Sequence, residues 1–292
     1  MTTYGELVRE LRIKKGITQK NLYKDIMSKS YAIRFEQGKH EISFYLIHSL
    51  LERLGMEIDE FLYIYNGYRE SASEEFYSEY SLKGNANDID GLKSLRNSLA
   101  HSPTTYQTQL RLAELNARID QLTYFNQHGE LSKEAITPDS LQTIHLYLDQ
   151  IQTWTLNELR FFANTLDFID YERKSEYFKS ILPALNRYQN FQRGHPIICT
   201  LLINEIHELI MGNELTDAHL FLTKLDKFSN TVETMFFRNS HLYYKGMLYI
   251  ASGESDLGRP LVEQAIHLYK RLGYHHQAIL SEAFYQHLIR RQ

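Results

Sequence analysis

Apolar residues recur every three or four positions along nearly the whole chain, the period of one face of an α-helix. At the start, Leu7, Val8, Leu11 and Ile13 predict a helix over Tyr4 to Lys15, stopped by Gly16. Thr18 is placed to cap a second over Gln19 to Ile26, with Leu22 and Ile26 inward. Ser28 caps a third that buries Ala32 and Phe35, runs to Gln37 and ends at Gly38. A fourth starts at Ser43, buries Tyr45, Leu46, Leu50, Leu51 and Leu54, and closes at Gly55; a fifth spans Asp59 to Tyr65. Asn66 to Glu75 reads as a linker, which divides the chain into residues 1–66 and 67–292.

Beyond the linker the helical period repeats at a larger scale. Phe178, Leu182 and Leu185 match Phe221, Leu225 and Phe228 after a shift of 43 residues, and Val262, Ile266 and Tyr269 after a further 41. Partner helices keep similar offsets: Leu159 and Leu166, Leu202 and Leu209, Tyr243 and Ile250. Such matched pairs predict an α-solenoid, tetratricopeptide-like in its pairing though not in its consensus, with an irregular all-α bundle as the alternative. Fainter pairs precede it, at Ala86 to His101 with Thr104 to Gln127, and from Pro138 to Gln152; Tyr274 to Arg290 would cap it. Ser102-Pro103, Thr137-Pro138 and His195-Pro196 read as helix starts, whereas Pro183 lies inside the pattern Tyr171 to Phe191 and predicts a kink.

Composition strengthens the all-α assignment. The chain has 40 Leu and 24 Ile against 3 Val, with only 14 Gly and 5 Pro among 292 residues. That balance disfavours a Val-rich parallel sheet with glycine phosphate turns. One cysteine, Cys199, excludes an internal disulfide, and its apolar setting predicts an inert buried thiol. The longest strongly apolar stretch, Pro196 to Ile203, is far short of the ~20 residues that span a bilayer. With no signal-peptide pattern at the start, the expectation is a cytoplasmic protein without a membrane segment. The 13 His form no His-Glu-x-x-His, and no phosphate loop or nucleophile elbow occurs, so no metal, cofactor or catalytic residue is expected.

Charge changes the picture locally. The net charge is −4, yet residues 9–40 carry nine basic and three acidic side chains, a +6 island on an acidic chain. Such an island is a footprint for phosphate. It coincides with Leu11-Arg12, Lys15-Gly16-Ile17-Thr18-Gln19, Leu22, Ser28-Lys29-Ser30 and Arg34-Phe35-Glu36-Gln37-Gly38, a linked set that resembles the Xre/Cro-type helix-turn-helix family. Two departures are a turn one residue short, with Met27 where Gly is common, and Tyr23 where a small Ala is usual. With Ala32 and Phe35 inward, Lys29, Ser30, Ile33 and Arg34 face outward on the third helix, the element that reads base edges in this motif. Gln19 is placed to meet a phosphate, Lys39 to touch the DNA backbone, and Glu36 to pair with Arg12.

A helix-turn-helix followed by paired helices over the full length resembles the Rgg regulators, within the peptide-pheromone-responsive regulators of Gram-positive bacteria; the segment Gln19 to Glu36 is the most specific. The resemblance implies a homodimeric transcription regulator on pseudo-palindromic double-stranded DNA, controlled in quorum sensing by a short hydrophobic signalling peptide. Some members link protomers through a cysteine in the DNA-binding domain, and this chain has none there. Off-core positions of the first helix in each pair supply the peptide candidates: Arg160, Phe161, Asn164 and Phe168, then Ile203, Asn204 and His207, then Arg238 and Tyr244. Asn side chains can clamp an extended backbone, and Arg can meet a carboxylate. The competing readings are an adaptor whose helix-turn-helix serves protein contacts, and an enzyme.

Overall fold

The computed structural model describes residues 3–129 and 131–291, all helix, turn or loop, with no strand among them. They fall into two compact units, Met1–Asp88 and Ile89–Gln292.

The first unit holds α1 (Tyr4–Lys14), α2 (Gln19–Tyr23), α3 (Lys29–Glu36), α4 (Phe44–Leu54), α5 (Ile58–Tyr65) and α6 (Ala72–Asn85). The segment expected to link two domains is thus a turn followed by a further helix, and the division falls after Asp88. Thr3 and Glu6 form a capping box on α1, and the hydroxyls of Thr18 and Ser28 accept amides at the starts of α2 and α3. Leu7, Val8, Leu22, Ala32, Phe35, Leu50, Leu51, Leu54 and Phe61 form one core. Gly5 lets α1 meet α3 backbone to backbone: a Cβ there would sit 1.8 Å from the Phe35 carbonyl oxygen.

Three expectations here are corrected. Tyr45 is 76% exposed and Ile13 is also exposed, while Ile47 is buried. The buried stripe of α4 runs 47, 50, 51, 54, and a residue two places before its start points to the opposite side. The second helix ends at Tyr23 instead of Ile26, because Lys24 leaves the helical region and Asp25 takes the left-handed one (φ 60°). Asp tolerates that conformation, so the shortened turn needs no glycine.

The second unit begins with α7 (Ile89–Ala100), α8 (Tyr106–His128) and α9 (Pro138–Gln150). Three pairs follow: α10 (Leu156–Thr165) with α11 (Tyr171–Leu185), α12 (His195–Met211) with α13 (Leu215–Phe228), and α14 (Met235–Ala251) with α15 (Ser255–Arg271). The last helix, α16 (His275–Arg291), packs on α15 and α14. First helices of successive pairs pack on one another, α10 on α12 and α12 on α14, more extensively than the second helices do. That tighter row is the inner side of the stack.

Every repeat position singled out above is buried except Leu182, which is half-buried beside the fully buried Ile181. Pro183 sits two residues before the end of α11, where 3-10 turns at 186–188 and 192–194 replace the expected continuation to Phe191. Ser102-Pro103 does not start a helix; Thr105 caps α8 instead. α14 and α15 touch at glycine: a Cβ on Gly258 would lie 2.5 Å from the Gly246 carbonyl oxygen, and one on Gly246 2.7 Å from that of Gly258. Trp154 is buried beside Phe162 and Tyr177, with its indole N–H donating to Ser180 Oγ at 2.8 Å. Cys199 is buried as expected; burial pushes its thiol up to about 12.

Candidate nucleic-acid interface and ligand groove

In the first unit α3 lies across α1 and α2, fixed by a buried ion pair. Arg12 Nε donates to Glu36 Oε1 at 2.7 Å and Nη2 to Oε2 at 2.9 Å, while Nη1 reaches the Ile17 carbonyl at 2.9 Å. The expected pairing is therefore present, as a bidentate fork. Burial alone would raise the Glu36 carboxyl; the bonds from Arg12 and Gln19 overcome it and hold it below its ordinary range. Burial, then the charge of the neighbouring Glu36, raises the buried Tyr23 hydroxyl.

On the outward side Lys29, Ser30, Arg34 and Lys39 are exposed, and the three cations make no ion pair among the described residues. Ile33 is half-buried. A cleft of about 300 Å³ between α2 and α3 is lined by Gln19, Lys20, Tyr23, Lys24, Met27, Lys29 and Ala32, so three ammonium groups flank it. Gln19 is placed differently from expectation. Its amide nitrogen donates to Glu36 Oε2 at 2.7 Å, so one of its two N–H donors is spent inside the unit. The backbone amides at the start of α2 add donors there for a phosphate.

Arg53 on α4 carries a role the sequence pattern did not reveal. Its Nη1 donates to the carbonyls of Leu22 at 2.9 Å and Lys24 at 2.5 Å, which clasps the short turn before α3. Lys15 likewise donates to the Leu54 carbonyl at 2.8 Å, closing the end of α4.

In the second unit the peptide candidates divide. Phe161, Phe168 and Tyr244 are buried, which corrects their expected exposure. Phe161 packs edge-on against Tyr147 with centroids 5.0 Å apart, and Phe168 lies under the Arg118 guanidinium at 4.7 Å. Arg238 is exposed but salt-bridged to Asp226 of α13. Arg160, Asn164, Ile203, Asn204 and His207 are half-buried on the inner row. Asn204 Nδ2 donates to the Ala163 carbonyl at 3.1 Å, tying α12 to α10. His207 packs at a tilt against Phe284, with ring centroids 4.2 Å apart, and lies 6.2 Å from Tyr244; burial, aided by His287, pushes its imidazole down to about 4, so the ring is neutral at pH 7.

The groups missed by sequence reasoning sit on α8. Arg118 grips Asp167 with Nη1 at 2.7 Å and Nη2 at 3.0 Å, and also donates to the carbonyl of Asn164 at 2.8 Å. Glu114 is fully buried and accepts Asn164 Nδ2 at 2.7 Å. Their signal was the spacing Arg111, Glu114, Arg118 along one face of a long helix. Beside this network lies a cavity of about 650 Å³ whose lining includes Gln121, Asp167, Lys174 and Glu208. The Lys174 ammonium there is 3.8 Å from buried Glu205 and 3.7 Å from Glu208. Burial pushes the Glu205 carboxyl up to about 7. No metal-binding group of three or more His, Cys, Asp or Glu occurs among the described residues, and none of their helices is long and apolar enough to cross a membrane.

Comparison with known proteins places this geometry. The model for the C-terminal domain of the HTH-type transcriptional regulator Rgg matches residues 92–283, and a helix-turn-helix model matches residues 8–61. A transcriptional-regulator candidate from Listeria monocytogenes EGD-e is 33% identical, over 99% of this chain and 97% of that one, with a TM-score of 0.89. The Streptococcus dysgalactiae SHP pheromone receptor Rgg2 has the same fold at 19% identity and a TM-score of 0.75, covering 99% of this chain and all of that one. PrgX in its complex with cCF10 is similar at 19% identity and a TM-score of 0.71, over 99% and 94% of the two chains.

Proposed function

Because the chain belongs to the Rgg family of helix-turn-helix transcriptional regulators, a family of regulators and not of enzymes, we propose that it is a cytoplasmic, peptide-responsive regulator acting in quorum sensing. It binds a pseudo-palindromic promoter as a homodimer, since one helix-turn-helix reads only a half-site. Lys29, Ser30 and Arg34 meet the major groove, and Lys39 and the lysine-flanked cleft meet phosphate. A short hydrophobic peptide lies along the inner row of the second unit, near Arg160, Asn164, Ile203, Asn204 and His207. The observation that carries this reading is the unpaired cationic face of α3 in the same chain as an Rgg C-terminal domain. Its support for a peptide is the shared fold with proteins described as a pheromone receptor and a cCF10 complex.

The test starts from random duplexes, carrying the full-length protein through rounds of selection. Enrichment of a two-fold-symmetric site whose affinity falls steeply with salt is expected, because neutralised phosphates release counterions. A protein that enriches no sequence and sediments as a monomer overturns the reading.

A further inference from the structure

Glu114 is a fully buried carboxyl on α8, and its one hydrogen bond among the described residues comes from a residue of the inner row. Asn164 gives its Nδ2–H to Glu114 Oε1 at 2.7 Å, while its backbone carbonyl is held by Arg118 Nη2 at 2.8 Å. Both ends of Asn164 are therefore tied to α8. The Asn amide keeps a second N–H on the same nitrogen and, on its other side, the carbonyl Oδ1 with two lone pairs. That oxygen makes no hydrogen bond among the described residues, and it is not among the buried, unpartnered atoms, so it is open to solvent. A free Asn amide can turn over and offer either donor or acceptor; here Glu114 Oε1, taking the N–H at 2.7 Å, holds the amide with its oxygen on the opposite side.

We propose that Glu114 is a positioning residue for the ligand: by taking the Asn164 amide N–H, it presents Asn164 Oδ1 to the groove as an acceptor for one backbone N–H of an extended peptide. The inference rests on the peptide reading above and adds the residue that sets the polarity of the contact. Glu114 itself does not touch the ligand, since both its oxygens are buried. The same logic repeats one helix on. Asn204 spends Nδ2 on the Ala163 carbonyl and leaves its Oδ1 outward, so successive helices of the inner row offer acceptors in the same sense. An extended peptide supplies N–H groups along one edge at every second residue, which suits two fixed acceptors.

The experiment uses the full-length protein and a defined pool of synthetic apolar octapeptides. The octapeptide that co-elutes with the wild type is resynthesised with each backbone nitrogen methylated in turn. In the wild type, methylation of the nitrogen that meets Asn164, like that of the one that meets Asn204, should weaken binding by roughly three- to tenfold beyond the other positions, the worth of one hydrogen bond. Glu114→Leu should lose affinity by a similar factor and abolish the penalty at the Asn164 contact alone, because that amide is no longer held. Glu114→Gln, which keeps an acceptor for Asn164, should restore both. A variant that lost affinity only through misfolding would keep the methylation pattern on its folded fraction. Retrieval of no octapeptide by the wild type overturns the peptide reading and this proposal with it. Retrieval of one whose methylation pattern is the same in wild type and Glu114→Leu overturns the proposal alone.

Discussion

Replacing Glu36 with Gln removes one charge from the centre of the first unit and keeps its volume. In the native protein that charge takes two bonds from Arg12, at 2.7 and 2.9 Å, and one from Gln19 at 2.7 Å. The Glu36 side chain is 3% exposed and that of Arg12 11%, so neither ion recovers its hydration when the other is lost. Removing one partner of a buried pair costs about 3–5 kcal/mol. Arg12 keeps its bond to the Ile17 carbonyl, which favours the lower end, about 3 kcal/mol. Against the 5–15 kcal/mol typical of a domain, that is a large share. The assay is native-state hydrogen exchange at the amides of α3. Protection there should fall by about a hundredfold in Glu36→Gln, the exchange equivalent of that energy. The Glu36 carboxyl binds its proton more weakly folded than unfolded, so its contribution is present above the ordinary carboxylate range and is lost as pH falls through the lowered native value. Protection in the wild type should decline on acidification accordingly, and that decline should be smaller in the variant. A change under threefold at neutral pH would refute the claim that this pair anchors α3.

Other outcomes follow from features of both units. Arg34→Ala should weaken binding to a selected duplex by about 1–3 kcal/mol, and adding Lys29→Ala should reduce the salt slope, with the melting temperature unmoved; retention of full affinity by the double variant sinks the assignment. Burial pushes the Glu114 carboxyl up to about 8, against the opposing Asn164 bond and the charges of Arg118, Arg111 and Arg160. The native state therefore holds a proton the unfolded chain has released, and stability should fall between about pH 4.5 and 8 by at most about 1.4 kcal/mol per unit; Glu114→Gln should flatten that slope in urea titrations, and an unchanged slope assigns it elsewhere. Gly258→Ala places a methyl 2.5 Å from the Gly246 carbonyl oxygen, so urea unfolding should show a loss of at least about 1–3 kcal/mol; a neutral result would mean that α14 and α15 part easily.

The repeat was legible because burial in a solenoid is periodic at two scales at once. Phe178, Phe221 and Val262 occupy one place in successive pairs, and all are buried. The Arg12–Glu36 pair was legible for another reason: an acid on an otherwise basic face needs a partner, and helix geometry leaves few choices. Tyr45 misled because an aromatic near a helix start looks like core, whereas the buried stripe is set by the 47, 50, 51, 54 spacing. The groove was only half legible. Off-core positions of one helix are often core positions of its neighbour, which is how Phe161, Phe168 and Tyr244 are covered. The spacing of Glu114 and Arg118 marks a shared helix face, but their partners, Asn164 and Asp167, lie 50 and 49 positions further along the chain. No local pattern encodes such a distance.

Trp154 is the chain's one tryptophan, and it belongs to the second unit, far in sequence from the helix-turn-helix. Excited at the red edge of protein absorption, the molecule therefore emits from a single place, packed against Phe162 and Tyr177 and bonded to Ser180. Its emission should be shifted to the blue and poorly quenched by iodide while Ile89–Gln292 is folded. Nothing that happens to α1–α5 alone adds a second emitter. Circular dichroism records helix from both units, so melting curves taken by the two signals separate where they unfold in turn and coincide where they unfold together. The native chain carries the label needed to tell these cases apart, with no dye and no substitution.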